Sequence, residues 1–515
     1  MKQDSGGRER GLIDSWIWVL AVCAIYLVLA WLRAFRPFWY DELLTLYVSQ
    51  LSDLPTIWTA LKDGADFNPP LFYVITRFST ALLGPSELSL RMPAIVGYLV
   101  LCLSLQVFVR RRMGAGMGLV AMLTPMVTAP ILYATEARAY GLMLGFVGLA
   151  MVCWQNMADG RSRTFSLAGV GMFLTAALSM HCYAVLTLVP FGLAELTRSW
   201  DRKKIDRGAW LAICLPLTMV LSYLPLMAAV RSFAVDNEVY RPTIWSIPHF
   251  YIFLTFALSG TILVLAVALW ALVMVKRNEV PSESTGYTNA ELSLAAGFLV
   301  VPILAILLAF TVTHIYHIRY GLAAICGLAI LLPLLFERIA LRRRHAGTVA
   351  AAVFALSAVV QVSSWPKLLE ADGMQFRKVM QLENAVPDLP LVVSSGLLFL
   401  EMDHYASPRL IGRMHFLADA GLARELTGTD IFDKGYTHLR RWLPIRAAIE
   451  DAQTYLRSHK RFLIYGFQTH PMDWLVPRLK SLGWQLTTLE SSAGRVLYLS
   501  ESPELVDGHS GAMKR

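Results

Sequence analysis

Residues 16–32, 113–135, 209–230, 250–275, 292–313 and 346–366 each contain no Asp, Glu, Lys or Arg. About 20 apolar residues wound as a helix cross the hydrocarbon core of a bilayer. Inside lipid every backbone N–H and C=O must find a partner within the chain, so repeated runs of this length dictate helices. The sequence therefore reads as an α-helical polytopic membrane protein. Its 515 residues are 56% hydrophobic and only 16% charged, against about 25% charged in soluble domains. Disordered, collagen-like and small disulfide-rich classes are excluded.

Counting apolar segments with their flanks gives about eleven spans: 14–34, 91–109, 113–134, 138–157, 164–180, 182–198, 209–230, 250–275, 291–313, 318–337 and 346–363. Lys2, Arg8 and Arg10 place the N-terminus on the cytoplasmic side. Alternate loops then receive Arg110-Arg111-Arg112, Arg161 with Arg163, Arg198 to Arg207, Lys276-Arg277, and Arg338 with Arg342-Arg343-Arg344. This follows the positive-inside rule and accounts for the net charge of +9 without nucleic acid. The first apolar run ends in Trp31-Leu32-Arg33 without a small-residue cleavage site, so it reads as a retained helix. All six cysteines lie in or beside apolar spans with no CxxC spacing, and read as packing residues.

Two segments stand apart from the spans. Residues 35–90 form a long first outer loop whose helical apolar spacing predicts helices lying at the membrane surface. Asp53-Leu54-Pro55 reads as a helix start, and residues 69–84, with Arg77 and two leading prolines, read as an interfacial helix. After residue 363 the composition turns mixed. Strands are expected at Leu391–Ser394, Arg461–Tyr465, Gln485–Leu489 and Arg495–Leu499, and a helix at Trp474–Leu482. The expected organisation is a membrane domain over 1–363 and a small extracytoplasmic α/β domain over 364–515.

Four polar motifs fall on one membrane face. Trp39-Tyr40-Asp41-Glu42 sets two carboxylates beside the first span, where shielding from water can raise a carboxyl toward general-base range; helix capping is the structural alternative. Asn68-Pro69-Pro70-Leu71-Phe72-Tyr73 is followed by Arg91-Met92-Pro93-Ala94. Tyr133 to Tyr140 packs Glu136, Arg138 and two tyrosines into a short turn. His314-Ile315-Tyr316-His317-Ile318-Arg319-Tyr320 ends the ninth span. Arginines suit phosphate oxygens because the guanidinium donates in pairs. Asp41, Glu42, His314 and His317 are candidate ligands for a divalent cation. Midspan charges, which a transport pathway needs, are nearly absent.

In these motifs, their order and their spacing over residues 10–340, the sequence resembles the GT-C membrane glycosyltransferases, specifically bacterial family 39-like enzymes related to protein O-mannosyltransferases and lipid A aminoarabinose transferases. The resemblance implies sugar transfer from a polyprenyl-phosphate donor to an envelope glycan, lipid or protein acceptor at the outer face of the cytoplasmic membrane. It further implies that Asp41 is the catalytic base, with Glu42 shaping the pocket or holding a cation. Arg138 and Arg319 would meet the donor phosphate, with Glu136, Tyr140, Tyr320, Arg91 and Asn68 lining the site. Many relatives have His where this chain has Asn68. A flippase or transporter of lipid-linked sugars and a non-catalytic membrane assembly protein are the competing classes.

Overall fold

The computed structural model describes residues 16–234, 237–274, 286–339, 345–363, 382, 386 and 388–505. Lys2, Arg8, Arg10, Lys276, Arg277, Arg342, Arg343, Arg344 and the expected domain start at 364 lie outside the described residues.

Helices occupy all eleven apolar segments. The first is α1 (Trp16–Ala34), whose Trp16, Ile17, Leu20, Val28 and Trp31 stay exposed, as suits a helix against lipid. The second and third segments form one continuous element, α5 (Glu87–Leu123), broken at Gly114 with φ 84° and ψ 176°. That left-handed backbone suits glycine. It lets the chain double back, so that Gly118 faces the Gln106 carbonyl and Arg110 of the preceding leg. The three arginines sit at this reversal. α6 (Tyr140–Ala158) runs beside α5. Their backbones touch: a Cβ on Gly145 would run into the Gly97 carbonyl, and one on Gly141 into that of Ala94. Small residues permit this approach in membrane bundles.

Among the described residues, six helical stretches are long and apolar enough to cross a membrane: Trp16–Ala34, Glu87–Val127, Tyr140–Ala158, Arg207–Ala229, Ser246–Ala271 and Asn289–Thr313. Glu87–Val127 includes both legs of α5. Arg163–Leu178 and Ala346–Gln361 are shorter apolar helices, and Leu188–Arg202 and Ala324–Ile339 fill the remaining positions. Several helix ends leave regular α geometry together. Thr124–Val127, Ala129–Thr135, Cys182–Thr187 and Ile318–Gly321 are 3₁₀ turns, and Ala309–Thr313 is a π turn. Such departures often accompany functional ends, and here they lead into the polar motifs.

Between the first two spans lie α2 (Tyr40–Ser49), α3 (Leu54–Lys62) and α4 (Pro70–Leu83). Asp53 caps α3, accepting the Thr56 N–H at 2.8 Å. Arg77 projects from α4 and donates to the Leu51 and Ser52 carbonyls at 2.7 and 3.0 Å, so its charge does not enter a bundle core.

The C-terminal region forms one six-stranded sheet, β1 (Leu391–Val393), β2 (Met414–Ala418), β3 (Ala448–Asp451), β4 (Arg461–Phe467), β5 (Gln485–Ser492) and β6 (Arg495–Glu501), in the order β3-β2-β1-β4-β6-β5. The first four run parallel; β6 is antiparallel to β4 and β5. Val392, Leu417 and Ile464 face Tyr455, Leu475 and Leu479 in a local core. Leu391, Val393, Leu463 and Leu497 belong to the same apolar cluster as the membrane helices. The sheet is thus built onto the bundle, and helix Gly396–Tyr405 packs against α2. There Phe38 N–H donates to the Tyr405 hydroxyl at 2.8 Å, and the Tyr47 hydroxyl meets His404 Nδ1 at 2.9 Å.

Candidate active site

The first turn of α2 carries Asp41 and Glu42, where acids favour the helix dipole. Consecutive helical residues point about 100° apart, and the two carboxylates enter different surroundings. Glu42 is fully buried and takes Arg91 Nε at 2.7 Å and Nη2 at 2.6 Å. It also accepts the Ala137 N–H at 2.8 Å and the Trp39 N–H at 3.3 Å. Arg91 spends its other hydrogens on the carbonyls of Ala34, Arg36 and Pro37, at 2.6, 2.7 and 3.2 Å. This pair staples the end of α1, the start of α2, the head of α5 and the turn before α6. Neither partner has capacity left for a substrate or a cation.

Asp41 points toward the turns that hold Arg138 and Arg319. Arg319 Nη1 bonds Asp41 Oδ2 directly, and Arg138 Nε stands 3.9 Å from that oxygen. Arg138 also donates to the Asp41 carbonyl at 3.0 Å, to Thr45 Oγ1 at 3.3 Å and to Asp66 Oδ2 and Oδ1 at 2.5 and 3.1 Å. Asp66, buried ahead of Asn68-Pro69-Pro70, is a member of the cluster that sequence reasoning missed. Its position two residues before a singled-out motif was the available signal.

Shielding alone predicts raised carboxyls at Asp41 and Glu42, and the structure corrects this. Burial pushes both upward, but Arg319 and Arg138 at Asp41, and Arg91 and Arg36 at Glu42, outweigh it and hold both below the usual carboxylate range. Glu136 behaves oppositely. Burial drives it up; Arg36 opposes this, Glu42 adds to it, and the carboxyl settles at about 7.

Tyrosines and a histidine line the same end. Tyr140 lies 5.5 Å ring to ring from Tyr133 and 5.1 Å from His181, and the Arg319 guanidinium sits 5.7 Å over its ring. Tyr320 stacks on Tyr183 at 4.2 Å and meets His181 at 5.3 Å. His181 Nδ1 accepts the Tyr183 N–H at 3.2 Å, which leaves Nε2 to carry the proton. Neither His181 nor Tyr183 belongs to a motif legible in the sequence. His317 caps its own turn, Nδ1 facing the Arg319 N–H at 3.5 Å. Burial, then Arg319, lowers it to about 3. His314 is half-buried in the left-handed conformation at φ 56°. Among the described residues, no group of three or more His, Cys, Asp or Glu side chains gathers to hold a metal ion.

Several buried polar atoms here have no partner: Arg138 Nε, Arg319 Nε, Glu136 Oε2, Asn68 Nδ2 and Tyr316 OH. Buried polar atoms are nearly always bonded. A concentration of orphans around two guanidiniums marks a place for an anionic, hydroxyl-bearing ligand.

No family model matches the chain, and no curated protein matches it in sequence. Among solved structures, ArnT from Cupriavidus metallidurans bound to undecaprenyl phosphate is similar over 94% of this chain and 98% of its own, at a TM-score of 0.55 and 13% identity. The apo state of that protein covers 94% and 97%, at a TM-score of 0.47 and 13% identity. The undecaprenyl-phosphate-bound comparison gives this chain an ArnT-like fold over nearly its full length.

Proposed function

We propose that the protein transfers a sugar from a polyprenyl-phosphate donor to an envelope glycan, lipid or protein acceptor. The observation that carries this is Asp41, held between two guanidiniums that each keep an unpartnered Nε–H. The fold supports it, and so does the undecaprenyl phosphate bound by the ArnT that shares the fold.

The acceptor hydroxyl attacks the anomeric carbon while its proton passes to Asp41. The bond from that carbon to the phosphate oxygen breaks, and its electron pair stays on the phosphate. Arg319 and Arg138 offset the charge that develops there, and fixed charge of this kind is usually the largest single contribution to such catalysis. Direct displacement inverts the anomeric centre. Glu42 and Arg91 hold the loop that carries Asp41. Asn68, Glu136, Tyr140 and Tyr320 line the donor and acceptor space.

The site end faces the extracytoplasmic side in this reading. Arg110 to Arg112, Arg161, Arg163 and Arg198 to Arg207 collect at the opposite end of the bundle, where the positive-inside rule puts the cytoplasm. The sheet is then extracytoplasmic and helps recognise the acceptor. Alkaline phosphatase fused after residue 400 should be active; activity only from a cytoplasmic reporter would reverse the orientation. Purified protein incubated with a panel of polyprenyl-phosphate sugars and extracted envelope glycolipids should yield a glycosylated product by mass spectrometry. Absence of transfer from every donor in the panel would sink the reading.

A further inference from the structure

Asp41, the carboxylate placed to take the acceptor proton, is bonded in the resting structure to Arg319, one of the two cations placed to take the donor phosphate. Resting on the donor reading above, we propose that phosphate and Asp41 compete for Arg319, so that the donor unmasks the base by taking its partner.

Both anions draw on the same guanidinium. Arg319 gives Nη1 to Asp41 and keeps an unpartnered Nε–H, and a guanidinium binds phosphate best through two parallel N–H groups. A phosphate engaged along the Nε edge pulls the group toward itself and weakens the hold of Nη1 on Asp41. Arg138 cannot replace it, because both of its terminal nitrogens are already held by Asp66 and the Asp41 carbonyl. Only Arg138 Nε, 3.9 Å from Asp41, is free to turn either way. The other titratable groups facing Asp41 are Tyr40 beside it on α2, Glu136 and Tyr133 from the turn before α6, Tyr140 at the head of α6, His317 and Tyr320 from the turn that carries Arg319, and Tyr240. None is a second cation, since burial and Arg319 keep His317 neutral near neutral pH. Once Arg319 turns away, burial acts on Asp41 with less opposition and its proton affinity rises. A strong base then exists only with donor in place, and a resting enzyme keeps a weak one.

A binding measurement separates exchange from simple addition. If Asp41 competes with phosphate, Asp41→Asn binds undecaprenyl phosphate more tightly than the wild type even though it cannot catalyse. The expected gain is about tenfold, the effect of one pKa unit of lost competition. Glu136→Gln, measured at about pH 8.5 where Glu136 is ionised, removes a nearby charge that does not bond Arg319, and should gain distinctly less. In the wild type, the acid limb of kcat, which reports the donor complex, should lie above the acid limb of kcat/KM for donor, which reports the free enzyme. Equal or weaker binding by Asp41→Asn, equal gains in the two variants, or coincident acid limbs would each overturn the exchange and leave the donor reading standing. Undecaprenyl phosphate that binds none of these proteins would overturn both.

Discussion

Two arginine–carboxylate clusters sit at opposite ends of the helix bundle, built from the same side chains to different ends. At the far end Arg112 Nε donates to both Glu291 oxygens at 2.8 and 3.0 Å, and its Nη2 bonds Asp159 at 2.6 Å. Gln155 donates to Glu291 at 2.7 Å and to the Phe108 carbonyl at 3.1 Å, and accepts from Arg111 at 3.1 Å. No buried side-chain nitrogen or oxygen of those residues lacks a partner. At the site end Arg138 and Arg319 hold Asp41 as closely, yet both arginines and the neighbouring Glu136 keep orphan atoms. Composition does not distinguish the clusters; satisfaction does. A completed network is a clasp between helices, and an incomplete one is poised for a ligand. Within the site end the same contrast recurs one residue apart, since Glu42 is saturated and Asp41 is not.

That contrast breaks most visibly in rate. Asp41→Asn should lower kcat by about 10²–10⁴, the usual cost of losing a general base, with insertion and thermal unfolding close to wild type; near-normal turnover at saturating substrates removes Asp41 from the mechanism. Glu42→Gln should act on stability instead. Breaking a buried pair costs about 3–5 kcal/mol, so yield and unfolding temperature in detergent should drop sharply, while the folded fraction keeps much of its turnover. A stable Glu42→Gln protein with collapsed turnover would erase the distinction between the two carboxylates.

Smaller changes test the far end. Glu291→Gln should cost about 1–3 kcal/mol of stability, the penalty for stranding a buried donor, and leave donor binding unchanged; a loss of donor affinity would mean the clasp communicates with the site. The smallest effect belongs to Glu136. Its carboxyl titrates at about 7 in the fold, against 4.5 ordinarily. Between those values the folded chain holds a proton that the unfolded chain has released. Stability from this group therefore falls as pH rises through the window and levels off above it. Glu136→Gln should remove that slope from the pH–stability curve, and an unchanged slope would mean the turn is more hydrated than its burial implies.

The spans were legible because a bilayer demands long charge-free runs, and the arginine triplet marks the reversal at Gly114. β1, β4, β5 and β6 were legible as apolar runs between turns. β2 and β3 were not: Met414–Ala418 has His415 within it, and Ala448–Asp451 is an edge strand, half-exposed and without alternation. At the site, the motifs named most of the groups that meet, but not who meets whom. Asp41 and Glu42 are adjacent in sequence, and only the helix phase sends one to Arg319 and the other to Arg91. Asp66 and His181 stand alone among turn residues, where a single polar side chain carries no period to read.

The contact between the Phe38 amide and the Tyr405 hydroxyl spans 367 residues of sequence. At about 5–20 residues per second of synthesis, the helix bearing Tyr405 emerges roughly 20–70 s after the segment it steadies. The loop that presents Asp41 is thus made early and braced late. An abandoned or shortened nascent chain that stops before Tyr405 would sit in the membrane with the loop that carries Asp41 lacking this brace.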